Sequence, residues 1–328
     1  MLVRQGDYYQ EPSDPGGQME RTGFRVIEWA GLSIAVDSSE DLVWDWSDRG
    51  LEERACSGSE VDIHVGVSCG EIVPPHWDPI TYSFDGGSFD VDLVDGQWWI
   101  AVHAQGRRFE RLARFNRGLT EGEVVIAEGF ERGLAHPLDG PVLDWLVTHA
   151  IMERGGLVLQ GSAILESGTA FAMLNAQPGA TDMGFQGSNW DGSVPVMTPG
   201  SRFAITPMGE GFRVDALEFD SADRGSSFQG ELKAIHLVDQ AAQAGMDILD
   251  VQTGMEAVLS CVCAPIHAPE LADRILATVA RLVARVPVAR DAQTETQSPA
   301  VFSWGSAQYQ MGFAKPTEVS LDPAVYLN

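Results

Sequence analysis

A mixed α+β fold is what this sequence predicts, with a β-rich N-terminal half and an α/β core behind it. Three observations carry the prediction. Short apolar–polar alternations joined by tight turns fill the stretch from Phe24 to about Phe130. A helix-like segment from about Pro141 then leads directly into two apolar strands. Near the end, Leu271, Ile275, Leu276, Val279, Leu282, Val283 and Val286 lie on one helical stripe.

The elements follow in order. Phe24-Arg25-Val26-Ile27 opens the β region, and Val61 to Val67 alternates apolar and polar with period two. Ile80 to Phe84 and Phe89 to Leu93 flank Asp85-Gly86-Gly87 and read as a hairpin. Asp95-Gly96 is a second turn, entering Trp98 to Val102. Successive strands on short turns predict an antiparallel sheet. A helix is expected over about Pro141 to Arg154, with Val142, Leu143, Trp145, Leu146 and Ile151 on its apolar side and Gly155-Gly156 ending it. His149 on this helix reads as a half-buried or surface residue, and Asp139, Asp144 and Glu153 read as solvated. One strand is expected from Leu157 to Leu165 and another from Ala170 to Leu174, with Ser167-Gly168 between them. The section Val194 to Gly230 is turn-rich with short strand patterns, and Leu232 to Val238 reads as a strand. Helices are expected over about Val251 to Val262 and Pro269 to Arg285, followed by an edge strand Val286-Pro287-Val288-Ala289-Arg290. The expected organisation is a disordered leader over 1–22, a β-rich domain over 23–135, a core over 136–292 and a C-terminal tail over 293–328.

Composition narrows the function. The chain has 328 residues and 44% apolar residues, enough for a real core, with no run of 18 apolar residues to cross a membrane. Its N-terminus lacks the apolar stretch of a secretory signal, so a soluble, cytoplasmic protein is expected. With 47 acidic against 21 basic residues the net charge is −26, a field that repels nucleic acid and anionic membrane. Neither class of partner is expected, and a protein partner, including one with a basic surface, is; the acidity equally fits a saline cytoplasm or a plain solvated surface. Cys56, Cys69, Cys261 and Cys263 read as reduced thiols. Cys261 and Cys263 lie near His267, but the run VLSCVCAPI is apolar and lacks paired C-x-x-C spacing, so no metal is expected there.

The segment Gly156-Leu-Val-Leu-Gln160-Gly-Ser-Ala-Ile-Leu-Glu-Ser-Gly-Thr-Ala-Phe-Ala-Met-Leu174 carries the most information. Together with the strand Leu232 to Val238 and the segment Asp273 to Arg290, ending in Val-Pro-x-x-Arg, it resembles HPr kinase/phosphorylase-like proteins over about Leu138 to Arg290. The resemblance implies a nucleotide-binding-type core, with a phosphate-binding loop after Leu174. Such a loop cradles phosphate oxygens with backbone N–H groups, while its Lys reaches the terminal phosphates and its Ser or Thr binds Mg²⁺.

That loop is degenerate here. Asn175 stands in the place of the first Gly, Thr181 in that of the Lys and Asp182 in that of the Ser or Thr. Gly179 and Ala180 keep the small character, but Pro178 lacks an N–H donor. A charge of +1 is lost and −1 gained beside the polyanion, each worth about 4 kcal/mol at 4 Å and an effective dielectric of 20. The family's His maps to Gln160, which is no base at neutral pH, and of its acidic pair only Asp191 remains, beside Gly192. No catalytic residue, nucleotide or other cofactor is therefore expected. The resemblance with its lost residues implies an inactive protein acting as an interaction, assembly or structural subunit. The alternatives are an ATP-dependent kinase with an atypical loop, borrowing a cation such as Arg202 or Arg213 of this chain or an arginine of a partner, and a small-ligand-binding module.

Four aromatics are candidate partner contacts. Phe185 and Trp190 are large apolar groups in the polar loop 175–191, and two glycines after Asp182 predict a short or missing helix there. Trp98 and Trp99 point to opposite faces of one strand, so one belongs to the core and the other is a candidate anchor.

Overall fold

The computed structural model describes residues 23–38, 52–53, 61–84, 87–104, 108–130, 136–166, 168–175, 202–217, 229–239, 246–263, 268 and 270–292. They form two large sheets and three helices. The first sheet contains β1 (Gly23–Trp29), β2 (Leu32–Ser38), β3 (Glu52–Glu53), β4 (Ile63–Gly70), β5 (Ile80–Phe84), β6 (Gly87–Val94), β7 (Gln97–Ala104), β8 (Arg108–Asn116) and β9 (Glu121–Ala127). Its strand order is β3-β1-β2-β4-β9-β8-β7-β6-β5. Then come α1 (Pro141–Glu153) and a second sheet of β10 (Leu157–Gln160), β11 (Ser162–Glu166), β12 (Thr169–Asn175), β13 (Arg202–Met208), β14 (Gly211–Ala216), β15 (Gln229–Asp239), β16 (Met246–Ile248) and β17 (Val288–Ala292). The helices α2 (Val251–Ser260) and α3 (Glu270–Val283) lie between β16 and β17 in the chain.

The expected hairpins form. Phe84 registers with Gly87 across β5 and β6. Asp95 and Gly96 take φ of 53° and 75° between β6 and β7, the paired positive values of a two-residue hairpin turn. On β4, Ile63, Val65 and Val67 are buried while His64 and Gly66 face out. The sheet is not wholly antiparallel, however: β2 runs parallel to β4 and β4 parallel to β9. Parallel neighbours need long connections, and residues 39–62 and the β5–β8 meander supply them.

Helix α1 was expected to have one apolar side and is instead buried nearly all round, with Val142, Leu143, Leu146, Val147, His149, Ala150, Ile151 and Met152 all inside. A helix buried on every side lies within a core. Trp145 meets Trp98 of β7 edge-on at 5.4 Å, and Phe115 of β8 stacks on it at 6.3 Å. On its other side α1 packs against β10 and α3. His149, expected near the surface, is 1% exposed because it stacks on Trp145 at 4.0 Å. The buried Arg111 anchors the chain entering this helix, donating to the carbonyls of Asp139 at 2.5 Å and Pro137 at 3.3 Å. One apolar cluster therefore runs through both sheets.

The second sheet corrects two expectations. The strand expected over 157–165 is broken at Gly161 into β10 and β11, which sit at opposite ends of the order β10-β13-β14-β15-β12-β11. Only one residue separates them, so the sheet curls until its two ends meet at Gly161. A side chain there would lie 2.5 Å from the Met173 carbonyl oxygen of β12 and 3.3 Å from the Phe203 ring of β13. Second, the strand after α3 is no edge: β17 lies between β15, to which it is parallel, and β16. Pro287 precedes the strand, so its missing N–H costs no ladder bond, and its carbonyl accepts from Ile235 N at 2.9 Å. Strand β16 is an addition, with no counterpart among the expected elements.

Candidate functional site

Strands β12, β15 and β17 are mutually parallel neighbours, and their carboxyl ends are Asn175, Asp239 and Ala292. In open α/β sheets, ligands bind outside the carboxyl ends of such strands. The chain leaves β12 here, at Asn175, and returns into β13 at Arg202. Gln160 ends β10 in register with Arg202. Its neighbour Gly161 lies against Met173 and Leu174 at the end of β12. Gln160, Asn175 and Arg202, distant in sequence, thus collect at one mouth. Gln160 is exposed, and its backbone N–H donates to the Cys261 carbonyl at 2.8 Å.

The two arginines considered as substitute cations separate. Arg202 is at the mouth, with Nη2 3.4 Å from the Asp144 carboxylate of α1, so Asp144 is engaged rather than simply solvated. Arg213 registers with Glu231, which registers with Thr169 at the start of β12. Six strand steps, about 20 Å, separate that end from Asn175. There Arg213 Nε donates to Asp215 at 2.9 Å, and its guanidinium lies against Gly31 in the β1–β2 turn. Burial pushes the Asp215 carboxyl above its ordinary range, and Arg213 and Thr206 oppose that push. Lys233 pairs with Glu231 on β15, also away from the mouth.

The remaining expected positions divide as follows. Pro178, Gly179, Ala180, Thr181, Asp182, Phe185, Trp190 and Asp191 lie outside the described residues, as do Cys56 and His267. Trp98 is core. Trp99 faces the other way, half-buried beneath Arg114, whose guanidinium carbon is 5.5 Å from the ring centre and which pairs with Glu123 at 2.7 Å. Cys69, Cys261 and Cys263 are not in disulfides. The main chain of Cys261 and Cys263 borders β10, with Cys263 N donating to the Val158 carbonyl at 2.9 Å. Among the described residues, no group of three or more His, Cys, Asp or Glu is placed to hold a metal ion, and no helix is long and apolar enough to cross a membrane.

Two features escaped the sequence reading. Asp90 accepts from Thr81 Oγ1 at 2.7 Å and pairs with His103 Nε2 at 2.8 Å, an arrangement created by the β5–β6–β7 register. Arg290, the closing residue of the Val-Pro-x-x-Arg segment, has no ligand role in the sequence pattern, yet it lies on β17 level with Leu237 and Leu174, beside the mouth. No protein-family model matches the sequence, and no curated protein matches it either.

Proposed function

We propose that the chain is a non-catalytic relative of HPr-kinase-like proteins that serves as an interaction or assembly subunit. The supporting observation is the residue identities in the segment after Asn175. The residues that follow Asn175 place Thr181 and Asp182 where the resemblance calls for Lys and Ser or Thr. The cations considered as replacements do not supply the missing charge, because Arg202 is engaged by Asp144 and Arg213 lies at the far end of the sheet. Gln160 supports the same reading, since it occupies the mouth without being able to take a proton. Trp99, on the outer face of the first sheet, and Phe185 and Trp190 are the proposed partner contacts, and the surplus of carboxylates suits a partner with a basic surface.

Thermal unfolding of the full chain with Mg-ATP, Mg-GTP and pyrophosphate tests the reading. A ligand at 100 times its Kd stabilises by about 2.7 kcal/mol, and none of the three is expected to do so. A clear millimolar-range shift, abolished by a bulky substitution at Gly179, would replace this reading with that of an active kinase.

A further inference from the structure

Every arginine among the described residues except one has a hydrogen-bond, ion-pair or aromatic partner. The exception is Arg290. It is partly buried, and its Nε is enclosed without a hydrogen-bond partner. Asp247, its registered neighbour on β16, is exposed and does not close on it. In a chain with 47 acidic and 21 basic residues, an unanswered guanidinium is the unexpected case.

Its position gives the absence meaning. Arg290 belongs to the row Leu174–Leu237–Arg290, so it lies two strand spacings, about 10 Å, from the end of β12. It stands where ligands enter parallel sheets. A buried polar atom left without a partner is costly, and a missing water or ion is a common reason for one. A guanidinium fork matches the two oxygens of a carboxylate or phosphate.

We propose that Arg290 receives an oxyanion, one carboxylate or phosphate group of a small ligand, at the carboxyl ends of β12, β15 and β17. The surrounding negative field favours a group of low charge over a polyphosphate. The proposal rests on the strand topology and on Arg290, not on the absence of catalysis.

The test is thermal unfolding of the full chain with orthophosphate in one arm and acetate in the other, against sodium chloride at equal ionic strength. One of the two anions is expected to raise Tm beyond chloride, and which one does so tells phosphate from carboxylate. In Arg290→Met the anion-specific rise disappears, and the ligand-free variant melts no lower than wild type because the enclosed Nε is gone. Arg290→Lys, which keeps the charge but not the fork, retains a reduced rise. Arg285→Met, the same charge change on an exposed residue, retains it in full. No rise with either anion, or a rise that survives Arg290→Met, overturns the proposal. A Mg-ATP shift that survives Arg290→Met counts against the non-catalytic reading alone.

Discussion

Gly161→Ala is the sharpest probe of the architecture that builds the mouth. Gly161 has a φ of 152°, outside the range that side chains favour, and a Cβ there would meet the Met173 carbonyl oxygen at 2.5 Å and Leu174 Cδ2 at 3.1 Å. The first neighbour is backbone and cannot rotate away. Backbone strain of this kind costs about 1–3 kcal/mol, and forced overlap in a packed interior costs about 1–3 kcal/mol more. The expected loss is therefore about 2–6 kcal/mol, against a total stability of about 5–15 kcal/mol. Gly168→Ala is the control. Gly168 also has a positive φ, 81°, but a Cβ there meets nothing within 4 Å, so only the backbone part should appear. Urea unfolding of both variants separates the two contributions. If Gly161→Ala costs no more than Gly168→Ala, the two ends of the sheet do not meet at this residue, and the grouping of Gln160 with Asn175 and Arg202 fails with it.

Two further outcomes are expected. Trp145→Ala should destabilise by about 3–5 kcal/mol, since Trp145 fills the space among Trp98, Phe115 and His149, whereas Trp99→Ala on the outer face should cost far less in the same denaturant titration. Asp215 is held above its ordinary pKa chiefly by burial, so the fold favours its protonated form. Its ionisation costs stability as pH rises from the ordinary carboxylate value through the raised one, and the cost is relieved as pH falls back through that window. Asp215→Asn should remove this dependence and flatten the stability profile across it, and an unchanged profile would contradict the assignment.

Residue pattern alone determined the local elements. The alternation on β4, the Asp95-Gly96 turn, the strand Thr169–Asn175 and the stripe on α3 all follow from short-range rules, because pleat and helix periods are written in neighbouring residues. That position 181 is a Thr rather than a Lys, and position 160 a Gln rather than a His, is likewise legible, since it is residue identity alone. Tertiary structure alone decided which strands are neighbours. Parallel pairing of β2 with β4, burial of α1 nearly all round, the inward place of β17 and the break at Gly161 each depend on partners far along the chain. The same is true of the charges. Arg202, Arg213 and Arg290 are equivalent as letters, but long-range register sends Arg213 to the far end of the sheet, gives Arg202 to Asp144 and leaves Arg290 unanswered beside the mouth. A cation's role depends on which carboxylate the fold brings within reach, and no local rule encodes that distance.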